Sequence, residues 1–116
     1  MKKWFTAMAL LSFSAGALAQ DAGTAAPKPS AATEALWKNK CMGCHGETGR
    51  ADTKTGEKEH IGDLGSAECQ AKMTDADLRK IIEDGSPKNP KMRPYKGRLT
   101  PEQIGDLVAF IRSLKR

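Results

Sequence analysis

The five residues CMGCH, Cys41 to His45, limit the folds open to this chain more than any other stretch of its sequence. Two thiols separated by two residues and followed at once by an imidazole can serve as a redox dithiol, as half of a zinc site, or as the attachment point of a covalent haem. Each chemistry needs a different surrounding: a sheet-based fold, a second pair of metal ligands, or a chain that wraps a cofactor. The rest of the sequence must decide between them.

The N-terminal region has the three parts of a secretory signal peptide. Two lysines precede an apolar run over residues 4–11, and a small-x-small cleavage site follows at residues 17–19. We expect residues 1–19 to be removed on export, with no stable membrane insertion afterwards, because the apolar run is shorter than the ~20 residues of a membrane-spanning helix. Residues 20–32, rich in Ala, Pro, Ser and Thr, are expected to be a disordered lead-in, and residues 33–116 one small domain.

The expected domain has a thin hydrophobic core. Its only aromatic residues are Trp37, Tyr95 and Phe110. A short chain buries a modest fraction of its surface, so such a core needs a disulfide, a metal or a cofactor to stabilise it. The odd number of cysteines, three, excludes a complete disulfide framework, and we expect the third, Cys69, to be a small packed or half-exposed residue.

Four helical segments and no strand are predicted, which makes the fold class all-α. The first starts near Thr33, a candidate N-cap, and runs into the cysteine pair, and a short second one follows Ser66. The third starts after Thr74, with Asp77 placed to complete a capping box and Gly85 placed to end the helix.

The last helix has the strongest pattern. Thr100 precedes Pro101 and Gln103 as a start signal. Apolar residues then recur at helical spacing: Ile104, Leu107, Val108, Ile111 and Leu114. Long irregular stretches, residues 46–65 and 86–98, separate the helices, and loops of that length in a small domain are expected only if they wrap something.

The three chemistries can now be compared. A redox dithiol needs a helix N-terminus, whereas this pair ends a helix and no strands are predicted. A zinc site needs two further ligands, and the chain offers only the unpaired Cys69 and His60. We therefore interpret CMGCH as the site of one covalent haem c, with Cys41 and Cys44 adding to its vinyl groups and His45 as an iron ligand.

With these residues in place, the chain resembles the small monohaem bacterial cytochromes c of class I, from about Ala32 to Leu114. Trp37, four residues before the first cysteine, matches an aromatic residue of the family's first helix. Leu107 and Phe110 match the pair that crosses that helix from the last one. The resemblance implies a small cytochrome c fold of about four helices, with long loops wrapped round one haem. Gly62 stands near the place where the family often has a proline whose carbonyl holds the outer nitrogen of the haem-binding histidine.

The resemblance also implies a methionine as the second axial ligand, from a loop before the last helix and followed by proline and an aromatic residue. Met92 in KMRPYKG matches this description. His60 and an open position are the alternatives. Met73, just ahead of a helix cap, is expected to pack in the domain, and Met42, inside the thioether loop, is too close to reach the far face.

Charge gives a further indication of partners. The formal net charge of +5 falls to +3 without the signal peptide, which is too weak and dispersed to indicate nucleic-acid binding. Five cations surround Met92: Lys88, Lys91, Arg93, Lys96 and Arg98. In the family this loop borders the exposed haem edge, so the resemblance implies a positive ring that steers acidic redox partners. An ordinary solvated face is the alternative.

Taken together, the residues and the resemblance predict a soluble periplasmic carrier that passes single electrons between redox proteins of an exported respiratory chain. We expect no enzyme activity, because both axial positions of the iron would be filled. Two alternatives stay open: a haem enzyme or sensor that reduces peroxide or binds a small gas at an open position, and a haem-free thiol oxidoreductase.

Overall fold

A computed structural model describes residues 28–116. The predicted signal peptide and the predicted lead-in up to residue 27 lie outside the described residues. Within them the regular secondary structure consists of five helices, with a single isolated bridge between Lys96 and Leu99 in place of any strand. The all-α prediction is confirmed. None of the described helices is long and apolar enough to cross a membrane.

Helix α1 covers residues 31–45 in three consecutive stretches: α-helical Ala31–Leu36, π-helical Trp37–Cys41 and α-helical Met42–His45. Its N-cap is Ser30, whose backbone is extended and whose Oγ accepts a hydrogen bond from the Thr33 N–H at 3.1 Å. The prediction of Thr33 as N-cap is therefore wrong. Thr33 is a buried residue inside the first turn, and the helix starts three residues earlier than predicted because Ser30 caps it.

Helix α2, Lys54–Lys58, lies in a stretch that was predicted to be irregular. Its N-cap is Thr53, whose Oγ1 accepts a hydrogen bond from the Gly56 N–H at 2.8 Å and donates one to the Cys44 carbonyl at 2.9 Å. This helix brings the number to five where the sequence predicted about four. It is fixed to the end of α1 by the hydrogen bond between Thr53 and the Cys44 carbonyl.

The three remaining helices follow the sequence prediction. They are α3, Ala67–Lys72, α4, Asp75–Asp84, and α5, Pro101–Ser113. The predicted capping box at the start of α4 is present, and the predicted start signal of α5 also forms a capping box. The predicted N-caps are confirmed in all three helices: Ser66, Thr74 and Thr100.

The core forms where α5 packs against both α1 and α4. The buried apolar side chains are Trp37, Leu78, Ile82, Ile104, Leu107, Val108, Phe110 and Ile111. The ring centroids of Trp37 and Phe110 are 4.8 Å apart, so the expected aromatic contact between the first and last helices is present. It fixes the cysteine-bearing end of α1 against the most regular helix of the fold.

Candidate haem site

A π-helical turn leads into the cysteine pair. The Met42 N–H donates to the carbonyl of Trp37, five residues back, and this wider turn ends at Cys41. One α-helical turn then carries Cys44 and His45, and the helix stops at Gly46, whose φ of +78° favours glycine. Single π turns inside α-helices are frequent at functional sites. Here the wider turn includes Cys41 and directly precedes the residues that carry the second thiol and the imidazole.

Trp37 ties the two ends of this segment together. Its side chain is 3% exposed, and its Nε1–H donates to the carbonyl of Gly46 at 3.1 Å. Its ring lies 6.0 Å from the ring of His45 between centroids. The residue therefore fixes the backbone on both sides of CMGCH, in addition to packing on Phe110.

The imidazole of His45 is in an environment that suits a metal ligand. Burial lowers the pKa of its imidazole, which favours the neutral form that binds metals. Its Nδ1 is buried and has no hydrogen-bond partner among the described residues. Gly62 lines the same cavity, but no hydrogen bond joins its carbonyl to this nitrogen, so the contact that proline makes in the family is not replaced by Gly62 here.

The two thiols are unlike those of a redox dithiol. Cys41 and Cys44 are half-buried and one helical turn apart. Burial, with a smaller contribution from Cys44, raises the pKa of the Cys41 thiol to about 11. A thiol oxidoreductase needs a lowered thiol pKa, because the thiolate is the nucleophile. The haem-free alternative is therefore not favoured by this environment.

Met92 lies in a loop that is held in place by backbone hydrogen bonds. Its N–H donates to the carbonyl of Asn89 at 3.1 Å, and its carbonyl accepts from the Ser86 N–H at 3.2 Å. The side chain is half-buried and packs against the core. After the loop, the Tyr95 N–H donates to the Ile82 carbonyl at 2.9 Å and the Tyr95 hydroxyl donates to the Lys40 carbonyl at 3.2 Å. The chain after Met92 is thus attached to both α4 and α1.

One cavity of about 830 Å³ brings these residues together. Cys41, Cys44 and His45 line it from α1, and Met92 lines it from the later loop. Its volume lies within the roughly 300–1,000 Å³ range of ligand and cofactor sites. Apolar side chains form much of the wall, among them Ile61, Leu64, Leu78, Ile82, Leu99 and Leu107. Two thiols, an imidazole whose lowered pKa favours the neutral form, and a thioether on an apolar wall fit a covalent haem.

The other sequence candidates differ in position. Met42 packs against the core and does not line the cavity, as expected for a residue inside the thioether loop. His60 and Met73 both reach the cavity wall, but His60 is an exposed residue with φ of +53°. Cys69 also lines the cavity, is half-exposed, and has a thiol pKa raised by burial.

Some charged residues that line the cavity form ion pairs and others do not. All three acids there are in ion pairs: Glu59 with Lys91, Glu68 with Lys72, and Asp63 with Arg116. Three exposed cations of the cavity wall have no ion-pair partner within residues 28–116: Lys40, Lys88 and Arg93. The unbalanced charge at the cavity mouth is therefore positive.

Two residues of the site have no signal in the sequence. Thr53 joins α2 to the Cys44 carbonyl, and Glu59 contacts the loop before Met92 through both carboxylate oxygens. The contacts of Glu59 span 30 and 32 residues and the contact of Thr53 spans 9, and neither residue belongs to a spaced motif. Only the folded structure brings Glu59 to the cavity wall and Thr53 to the Cys44 carbonyl.

Comparisons with known proteins agree with this geometry. The family profile named Cytochrome c matches residues 30–115. Among solved structures, the KustC0563 c-type cytochrome is 34% identical, with a TM-score of 0.65, and the match covers 72% of this chain and 98% of that one. A tyrosine-to-phenylalanine variant of the same protein gives 35% identity and a TM-score of 0.63 over the same shares. No curated protein matches significantly. The chain belongs to the cytochrome c family and is a haem c electron-transfer protein.

Proposed function

We propose that this cytochrome c is an exported single-electron carrier whose haem is attached through Cys41 and Cys44 and ligated by His45 and Met92. The observation that carries the proposal is the shared cavity, because all four side chains line it from two separate segments of the chain. Haem c supplies one-electron chemistry when bound. The chain supplies covalent attachment, two axial ligands and an apolar wall.

The two axial residues have different tasks. His45 offers an imidazole whose pKa is lowered by burial, and Trp37 holds the backbone next to it. Met92 offers a thioether, which raises the reduction potential relative to a second histidine. Because two side chains would fill both axial positions, no position is left for a substrate, and we propose that the protein has no enzyme activity.

The unpaired cations indicate the kind of partner. Lys40, Lys88 and Arg93 lie at the cavity where electrons would leave, and no carboxylate among residues 28–116 neutralises them. Such a surface accelerates encounter with an acidic redox partner and suits short-lived complexes. We propose partners with acidic docking faces in a periplasmic respiratory chain, in keeping with the signal-peptide pattern of residues 1–19.

Carbon monoxide binding to the reduced protein separates a carrier from an open-site enzyme or sensor. We expect weak, slow binding by the purified holoprotein and rapid binding by Met92→Ala, because only the variant leaves a ligand position free. Rapid, tight binding by the unaltered protein would contradict the carrier proposal. The intact mass of the same sample should correspond to residues 20–116 plus one haem, and two free thiols at Cys41 and Cys44 would refute the attachment.

A further inference from the structure

Glu59 contacts the loop that carries Met92 through both of its carboxylate oxygens. It is the C-cap of α2, directly after Lys58, and its side chain is 16% exposed. Oε1 accepts a hydrogen bond from the Lys91 ammonium, and Oε2 accepts one from the Asn89 Nδ2 at 3.3 Å. One carboxylate thus holds two residues of the tripeptide that directly precedes Met92.

Asn89 transmits this contact to the backbone of the loop. While its Nδ2 donates to Glu59, its Oδ1 accepts from the Lys91 N–H at 2.9 Å and its carbonyl accepts from the Met92 N–H at 3.1 Å. The amide of Asn89 can make the first two bonds only in one orientation, because its oxygen accepts and its nitrogen donates. Glu59 therefore fixes the orientation of Asn89, and Asn89 fixes the backbone next to Met92.

The contact also bridges two parts of the cavity wall. Thr55 and Glu59 line it from α2, while Asn89, Lys91 and Met92 line it from the loop. On the other side of Met92, the Tyr95 hydroxyl makes a neutral hydrogen bond to the Lys40 carbonyl. The loop is thus held before and after Met92, and only the attachment before it is ionic.

We propose that Glu59 is a positioning residue for Met92, which keeps the thioether in place as an axial ligand. The proposal rests on the assignment of Met92 made above. Without the Glu59 carboxylate the Asn89–Lys91 segment loses its connection to α2, so the loop opens more often and the methionine leaves the iron more often. Global folding depends little on this contact, because it lies outside the core formed by α1, α4 and α5.

Imidazole binding to the oxidised holoprotein tests the proposal, because exogenous imidazole can bind only after the methionine has left. We expect Glu59→Gln to raise the apparent imidazole affinity roughly three- to tenfold, the range for loss of a charge-assisted contact at a partly exposed site. Glu57→Gln is the matched control, since Glu57 is exposed on α2 and makes no ion pair within residues 28–116. The Glu57→Gln variant should bind imidazole with the same affinity as the unaltered protein.

Lys91→Met removes the Glu59–Lys91 ion pair from the side of the loop. This variant should raise the apparent imidazole affinity by a similar factor. The double variant should not exceed the imidazole affinity of Glu59→Gln alone appreciably, because Glu59→Gln already removes the ion pair that Lys91→Met breaks. Equal affinities for Glu59→Gln and Glu57→Gln, or fully multiplicative effects in the double variant, would overturn the role of Glu59. If Met92→Ala leaves the imidazole affinity unchanged, the ligand assignment itself fails, which is a separate outcome.

Discussion

Replacing Trp37 by phenylalanine tests how the haem-binding segment is held. The variant keeps an aromatic ring next to Phe110 but removes the Nε1–H that donates to the Gly46 carbonyl at 3.1 Å. That carbonyl would keep only a long hydrogen bond from the Gly49 N–H, at 3.4 Å. Because Gly46 is buried, water is not expected to replace the lost donor.

The expected loss in the free energy of unfolding has two contributions. Leaving a buried carbonyl poorly bonded costs about 1–2 kcal/mol. The smaller ring leaves a void beside Phe110, which adds about 1 kcal/mol. The free energy of unfolding should therefore fall by about 2–3 kcal/mol, and the unfolding temperature of a domain of this size by roughly 10–20 °C.

Thermal and urea unfolding of the oxidised holoprotein, followed by far-ultraviolet circular dichroism, measures this change. Phe110→Leu is the matched control, because it disturbs the same ring contact and leaves the Trp37–Gly46 hydrogen bond intact. We expect the control to lose about 1–2 kcal/mol by repacking alone. If Trp37→Phe costs no more than about 1 kcal/mol, the amount expected from the void alone, the hydrogen bond does not stabilise the segment and the reasoning is refuted.

Two further predictions concern α2 and the cavity mouth. A Cβ at position 56 would collide with the carbonyl oxygens of Ala51 and Cys44. Gly56→Ala should therefore lower the free energy of unfolding by about 1–3 kcal/mol in the same assay. Gly43→Ala is the control and should not lower it, because a Cβ at position 43 meets open space. An equal stability of the two variants would contradict this packing. Lys40→Gln, Lys88→Gln and Arg93→Gln together should lower the rate of electron transfer to an acidic protein partner about tenfold or more at low ionic strength and less at high salt. Lys72→Gln, which removes an ion-paired cation, should change the rate much less, and an equal effect would argue against docking at the unpaired cations.

The parts of the fold that sequence reasoning predicted are those with local causes. The starts of α4 and α5 were predictable because Thr74 with Asp77 and Thr100 with Gln103 form capping boxes within four residues. At α1 the same kind of signal misled, since both Ser30 and Thr33 can cap a helix and the structure uses the earlier one.

What could not be predicted depends on contacts between distant segments. Helix α2 has no apolar periodicity, and it forms where Thr53 bonds to the Cys44 carbonyl and Gly56 allows close backbone approach. The same holds for Glu59, whose partners lie 30 and 32 residues later in the chain. For the candidate haem site, the motif CMGCH was enough to predict Cys41, Cys44 and His45 as haem-binding residues. The prediction of Met92 as an iron ligand needed the family resemblance, because a methionine in a loop belongs to no sequence pattern of its own.

The central claim is that His45 and Met92 are the axial ligands of the haem in this cytochrome c. The visible spectrum of the oxidised protein tests it most directly, through the weak far-red band that methionine sulfur gives on ferric iron. We predict that the band is present in the unaltered protein, absent in Met92→Ala, and retained in His60→Ala and Met73→Ala. A band that is missing in the unaltered protein, or that survives Met92→Ala, would contradict the account.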